Sequence, residues 1–174
     1  MIPQGGMVLS YYIGNDSMLS NLYAESGDFQ QAEKYIRDAE ATNTALKRSP
    51  NFAAAGQWWI ATTLNAKAIY AGHQGKWNEC EANLRKAIPI MKTWVDEIKK
   101  NPASKLNTKL SENPLDGRYV LGNYLVPLIG AQTLFARSLV SQGKLVEAEV
   151  QIREAISTAL SSYGKSSIQT AKLI

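Results

Sequence analysis

One seven-residue pattern occurs three times along this chain: GDFQQAE at residues 27–33, GKWNECE at 75–81 and GKLVEAE at 143–149. Each copy reads glycine, a charged residue, a large apolar residue, two polar or variable residues, a small residue and glutamate. After each copy, apolar or small residues continue at a spacing of three, four and three, which places them in one stripe along an α-helix. We therefore predict that each copy is the turn and the second helix of an antiparallel helix pair.

The residue types of the pattern suit a turn between two helices. Glycine can end a helix in the left-handed conformation because it has no Cβ atom. The large apolar residue, such as Phe29, is expected to pack back on the helix that has just ended. The small residue, which is Ala32, Cys80 or Ala148, allows two helix axes to approach closely. The glutamate lies in the first turn, where the helix dipole favours negative charge.

The stretches between the three copies supply the first helix of each pair. Pro50 is expected to end the first pair, because the residue before a proline is disfavoured in a helix. Pro89 and Pro127 fall inside predicted helices, and each is expected to kink its helix. The three pairs are expected at about residues 8–48, 52–100 and 117–163, with a long loop at 101–116.

The last nine residues, SSIQTAKLI at 166–174, have the pattern of a capped helix start without its body. A stack of helix pairs needs a polar terminal cap, whereas this stretch ends with apolar residues. It indicates a further helix that is truncated, or a terminus that packs on a neighbouring chain. The expected architecture is all-α: a right-handed stack of about three antiparallel helix hairpins plus the start of a further helix, in one domain over residues 1–174.

The composition excludes several classes of function. Among 174 residues there is one cysteine and one histidine, which rules out a disulfide framework and a zinc site built from either residue type. Neither a phosphate-binding glycine loop nor a G-x-S-x-G motif occurs. The net charge of +4 is too small to indicate nucleic-acid binding. We expect no enzyme activity, no cofactor and no metal.

No segment has the pattern of a membrane span or a signal peptide. We therefore expect a cytoplasmic protein that does not act at a membrane.

Individual residues leave alternatives open. Cys80 occupies the small-residue position, so packing is expected, with a redox or nucleophilic role as the alternative. His73 is expected to lie at a helix C-terminus, with ligand contact as the alternative. Trp58 and Trp59 are about 100° apart on a helix, so at most one can point straight into the core. The other is expected at a seam between repeats or at a binding hot spot.

The positions that match a known family are the turn glycine, the small residue and the apolar and alanine residues of the following stripe. They are Gly27, Ala32, Ile36 and Ala39 (with Tyr23 before the turn), then Gly75, Cys80, Leu84 and Ala87, then Gly143, Ala148, Ile152 and Ala155. This pattern resembles the tetratricopeptide repeat (TPR) family. The turn glycines are 48 and then 68 residues apart, not the usual ~34, so the helices are longer. The resemblance implies an α-solenoid whose first helices line a concave binding surface.

The resemblance also implies which residues face a partner. In that family they lie two, three, six and ten residues before the turn glycine. Apart from Ala24, Gly72 and Val140, the corresponding residues are Ser17, Asn21, Glu25, Asn65, Ile69, His73, Thr133, Arg137 and Ser141. Their amide, hydroxyl and guanidinium groups could hold an extended peptide by its backbone and pair a carboxylate. The alternative is that they are only the solvated sides of the helices.

The expected function is a non-catalytic interaction module that binds a protein or peptide on the concave face. The alternative is the regulatory repeat region of a larger protein whose effector domain lies outside this chain. In that case the partner is another part of the same parent chain. Self-association through the C-terminal helix is a further alternative.

Overall fold

The computed structural model describes residues 4–48, 52–100, 114–165 and 167, with the side chains of residues 8–48, 56–100, 122–165 and 167. The described residues form helices and turns without a strand, so the all-α prediction is confirmed. The helices are α1 (Gln4–Ser26), α2 (Phe29–Leu46), α3 (Phe52–His73), α4 (Trp77–Lys100), α5 (Pro114–Val140) and α6 (Leu145–Tyr163).

The loop predicted at 101–116 is shorter than expected at its C-terminal end. Helix α5 begins at Pro114, because proline at the first helical position loses no hydrogen bond and its φ already suits a helix. Residues 101–113 lie outside the described residues, as does the predicted helix start at 166–174 apart from Ser167.

The three glycine turns have the same hydrogen bonds, which confirms the predicted left-handed helix ends. The glycine φ angles are 84°, 70° and 75° at Gly27, Gly75 and Gly143. In each turn the N–H after the glycine donates to the carbonyl five residues earlier, at 2.9 Å. The glycine N–H donates to the carbonyl three residues earlier, at 3.0–3.2 Å. This is the Schellman motif, which satisfies carbonyls that the helix end leaves free.

The small residue of the pattern is buried in all three copies. Ala32, Cys80 and Ala148 are each at most 4% exposed. The alanine seven residues later is also buried in every copy, at Ala39, Ala87 and Ala155, while Ile152 in the third stripe is half-buried. The predicted stripe therefore faces the interior, and Cys80 serves there as a small packed residue.

A repeated ion pair was not foreseen from the sequence. Each second helix has an arginine four residues after the glutamate of the pattern, and the two side chains pair along the helix. Where the pair is exposed, as in α2 and α6, it contributes about 0.3–0.5 kcal/mol. The pairs are Glu33–Arg37 at 3.0 Å, Glu81–Arg85 at 2.8 Å and Glu149–Arg153 at 2.6 Å.

The large apolar residue of the first copy makes a contact that the sequence did not predict. Phe29 makes an edge-to-face contact with Tyr70 of α3, with ring centroids 6.0 Å apart. It therefore contacts the first helix of the following pair. Leu145, its counterpart in the third copy, is 63% exposed.

Contacts divide the chain into two compact units, Met1–Ile90 and Met91–Ile174, and the division falls within α4 just after Pro89. In the first unit α1 packs against α2 and α3, and α2 packs against α3. In the second unit α5 packs against α6. Pairing is thus established for α1 with α2 and for α5 with α6, while a continuous solenoid stack over residues 1–174 and the kinks at the prolines stay predictions.

The core of the first unit contains Ile13, Ala39 and Leu46, against which Leu9 and Trp59 pack. Trp58 is buried, while Trp59 is half-buried between helices, as the 100° separation predicted. No helix in the described ranges combines the length and apolar character that crossing a membrane requires.

Candidate functional site

The first helices of the first unit, α1 and α3, run in the same direction. The Gly27 turn reverses the chain between α1 and α2. Helices α2 and α3 are again antiparallel, because Phe29 at the start of α2 meets Tyr70 late in α3, while Asn43 near the end of α2 meets Thr63 earlier in α3. Two reversals make α1 and α3 parallel neighbours.

The register of α1 and α3 places two predicted site residues at about the same level along the two helices. The helices are close at Gly14, where an added Cβ atom would lie 3.1 Å from the Trp59 ring. Asn21 follows Gly14 by two helical turns on the same side of α1. Asn65 follows Trp59 by almost the same distance along α3. The two side-chain amides therefore lie at about the same level on adjacent helices.

Both amides have an unsatisfied acceptor. Each side chain is half-buried, and each Oδ1 atom is enclosed without a hydrogen-bond partner among the described residues. The hydroxyl groups of Ser17 and Ser20 on α1 are enclosed and unpartnered in the same way. Leaving a buried acceptor unsatisfied costs about 1–3 kcal/mol, so a helix pair rarely retains several of them.

Ser17 requires a correction. The resemblance implied that it faces a partner, but its side chain is 2% exposed. Its position is three residues beyond Gly14, where the missing Cβ atom brings α1 close to α3. The packing of α1 against α2 and α3 covers Ser17, whereas Asn21, one turn further on, keeps part of its surface.

The remaining predicted residues of the first unit lie near the C-terminal ends of the two helices. Glu25 and His73 are exposed, and Ile69 is half-buried. His73 is in the last turn of α3, as expected for a histidine at a helix C-terminus.

The three predicted residues of the second unit lie on α5 and the turn that follows it. Thr133 is half-buried, and its hydroxyl donates to the Ile129 carbonyl at 2.9 Å, so its proton is used within the helix. Arg137 and Ser141 are exposed. These side chains add a cation and a hydroxyl to the surface of that unit.

A cavity between α2 and α3 was missed by sequence reasoning. Its volume is about 380 Å³, and Lys67 pairs with Glu40 at 2.6 Å at its edge. The sequence offered no signal for it, because its polar residues come from the second helix of one pair and the first helix of the next. It is lined by Glu40, Asn43, Thr44, Lys47, Ile60, Thr63, Leu64 and Lys67.

The side-chain amide of Asn43, which lines this cavity, has a defined orientation. Its Nδ2 donates to Thr63 Oγ1 at 2.7 Å, and the Thr63 hydroxyl donates to the Trp59 carbonyl at 3.1 Å. Because a carbonyl can only accept, this chain of bonds fixes the amide with Nδ2 toward Thr63. Asn43 Oδ1 is consequently a buried acceptor without a partner in the described part of the chain.

The acidic group nearest to the middle of α1 is Asp16. Partial burial raises the pKa of its carboxyl group above 3.8, and the nearby Asp38 raises it further, while Lys34 acts in the opposite direction. The surroundings of Asp16 on α1 therefore disfavour the negatively charged form of its carboxyl group.

In the second unit Gln132 is wholly buried, and its Nε2 donates to Glu154 Oε2 at 3.4 Å. The same carboxylate oxygen pairs with Lys92 at 2.5 Å. These bonds tie α5 and the end of α4 to α6.

No cluster of three or more histidine, cysteine, aspartate or glutamate side chains suited to a metal ion occurs among the described residues. Comparison of the chain with protein-family models, with curated proteins and with solved structures found no match in any of the three.

Proposed function

We propose that this protein is a TPR-like helical-repeat interaction module that binds an extended polypeptide along α1 and α3 of its first unit. The observation that carries the proposal is the pair of side-chain amides at Asn21 and Asn65. They lie level with each other on parallel neighbouring helices, each with an unsatisfied Oδ1 atom. The role that we propose needs no catalytic group and no cofactor.

Peptide backbone matches the chemistry of these amides. An extended strand presents N–H and C=O groups in alternation, and an asparagine side chain can both accept and donate. The terminal torsion of asparagine has a broad, roughly two-fold preference, so a half-turn exchanges Oδ1 and Nδ2 at the surface. A bound peptide would then supply the hydrogen bonds that the free protein lacks.

The ends of the two helices suggest the charge of the peptide. Glu25 is exposed at the end of α1, and the described part of that helix carries only acidic charged residues, Asp16 and Glu25. We expect a basic residue or an N-terminal ammonium group of the peptide to lie beside Glu25. His73 at the end of α3 would lie near the same end of the peptide.

The test uses a displayed library of random linear peptides, selected on the wild-type chain and measured by fluorescence anisotropy. The Asn21→Ala/Asn65→Ala double variant should bind a selected peptide at least about tenfold more weakly, which corresponds to about 1.4 kcal/mol. Its free energy of unfolding should be unchanged or higher, because alanine removes the unsatisfied amides.

Asn78→Ala is the matched control, since Asn78 is an exposed asparagine on α4. It should leave binding unchanged. Failure to enrich any peptide, or equal binding by wild type and the double variant, would contradict the proposal. Loss of binding together with a large loss of stability would also count against it, because the amides would then be structural.

A further inference from the structure

The contact between α2 and α3 is an interface between successive helix pairs, and three side-chain contacts define it. Phe29 meets Tyr70, Glu40 pairs with Lys67 at 2.6 Å, and Asn43 bonds to Thr63 at 2.7 Å. One side of the interface belongs to a second helix and the other to a first helix. Every other first or second helix in the chain has residues at the equivalent positions, counted from its turn glycine.

Alignment on the turn glycines identifies the counterparts of this interface elsewhere in the chain. On α1 the positions of Tyr70, Lys67 and Thr63 are occupied by Leu22, Leu19 and Asn15. On α6 the positions of Phe29, Glu40 and Asn43 are occupied by Leu145, Ile156 and Ala159. We call the first set the α1 end face and the second set the α6 end face.

The α1 end face is uncovered. Leu22 is 51% exposed, Leu19 is half-buried and Asn15 is exposed. Tyr11 and Tyr12, beside it on the same helix, are each more than half exposed. Large apolar side chains that cluster on one exposed helix face are typical of an interaction surface.

The α6 end face is its apolar complement. Leu145 is 63% exposed and Ile156 is half-buried, whereas Ala159 is wholly buried, so the first two residues are the ones that a partner can reach. The replacements on the two end faces match: where the internal interface has the ion pair Glu40–Lys67, one end face has Ile156 and the other has Leu19. The aromatic pair Phe29–Tyr70 is likewise replaced by a leucine on each end face.

We infer that copies of this chain associate head to tail, with the α1 end face of one copy packed on the α6 end face of the next. Leu22 would then contact Leu145, and Leu19 would contact Ile156. The matched replacement of both ion-pair partners is what selects a second copy as occupant. An unrelated partner on one of these two faces would place no constraint on the residues of the other face.

This contact joins two different surfaces, so each copy can use one end face for each neighbour. Both a dimer closed by two such contacts and a longer assembly raise the mean mass as the concentration rises. The contact involves one helix on each side, which places it among the smaller protein interfaces. We expect a dissociation constant of about 10–100 µM.

Sedimentation equilibrium of the full chain tests the inference. The weight-average mass of wild type should rise above that of the monomer as the concentration increases. Leu22→Lys and Leu145→Glu should each be monomeric at the same concentration, because each blocks one end face. Both residues are at least half exposed, so neither change should disturb the fold.

An equimolar mixture of these two variants gives the sharpest result. Each variant keeps one intact end face, and the two intact faces are complementary, so the mixture should form a dimer and stop there. Val126→Lys, a similar change at a residue of α5 that is 52% exposed, should associate like wild type.

Three results would overturn the inference. One is a wild-type chain that stays monomeric at several hundred micromolar. Another is continued association of Leu145→Glu alone, which would indicate a contact between two α1 helices. The third is disruption by Val126→Lys to the same extent as by Leu22→Lys.

Discussion

Replacing Gly143 by alanine should destabilise the second unit, whereas replacing Gly130 should stabilise it. Gly143 has a φ of 75°, and an added Cβ atom would meet nothing within 4 Å. The effect is therefore confined to the backbone. A residue with a Cβ atom is disfavoured by about 1–2 kcal/mol in the left-handed region. The lower conformational entropy of the unfolded alanine variant offsets about 0.4–1 kcal/mol of this loss. The net loss is about 1 kcal/mol.

Gly130 is the matched control because it differs only in backbone conformation. It is exposed within α5, and an added Cβ atom there also meets nothing within 4 Å. In a helix interior alanine is favoured over glycine by about 0.8–1 kcal/mol. The same methyl group in the same unit should thus change the free energy of unfolding with opposite signs, and the two variants should differ by about 2 kcal/mol.

Urea unfolding followed by circular dichroism measures both variants. Gly143→Asn should fall between Gly143→Ala and wild type, because asparagine enters the left-handed region more readily. A Gly143→Ala variant as stable as wild type would show that this helix end does not depend on the left-handed turn. Equal destabilisation of both alanine variants would show that space, and not φ, decides the outcome.

Three further substitutions test local features of the first unit. Asp16→Asn should raise the free energy of unfolding only slightly, by at most about 0.5 kcal/mol at pH 7, because burial raises the pKa of this carboxyl group while its exposure to solvent screens the effect. The gain should vanish below pH 3.8, where wild-type Asp16 is protonated in both states; a gain that persists in urea titrations at acid pH would refute the burial argument. Cys80→Ala should change stability by less than about 1 kcal/mol, whereas Cys80→Leu should lose about 1–3 kcal/mol by overpacking a buried site; equal thermal midpoints would contradict the small-residue role. Asn43→Asp should lose about 1–3 kcal/mol near neutral pH, because a carboxylate cannot donate to Thr63; unchanged urea unfolding would mean that this bond is dispensable.

The features predicted correctly from the sequence are those that local physics determines. A glycine at each turn and a stripe with a spacing of three, four and three need only neighbouring residues, and both are present in the structure. The contact of Phe29 with Tyr70 was not predicted, since the seven-residue pattern contains nothing about Tyr70, which lies more than forty residues later. The burial of Ser17 was missed for the same reason, as it depends on how the other helices pack against α1.

The positions of the candidate site residues could be predicted from the sequence, but their hydrogen bonding could not, because it depends on other helices. The resemblance pointed to Asn21 and Asn65, and the structure shows that both are half-buried with an enclosed, unpartnered Oδ1 atom. Whether an amide is satisfied depends on the groups that neighbouring helices present, which periodicity does not describe. The cavity at Asn43 combines residues from two helix pairs and has no signature within either pair.

The three repeats share their short-range features. They differ at the surfaces where one helix pair meets the next. The Schellman turn, the small residue and the Glu–Arg ion pair are all short-range, and each is present in every copy. The α2–α3 interface instead carries charged Glu40 and Lys67, whose counterparts are Ile156 and Leu19. Placing Glu40 against an apolar end face would desolvate a carboxylate without a partner, and Lys67 would lose its partner as well. An end face therefore cannot take the place of the internal interface at low energy. The polar pair therefore disfavours contact between this internal interface and an apolar end face, which supports the proposed association of the two end faces with each other.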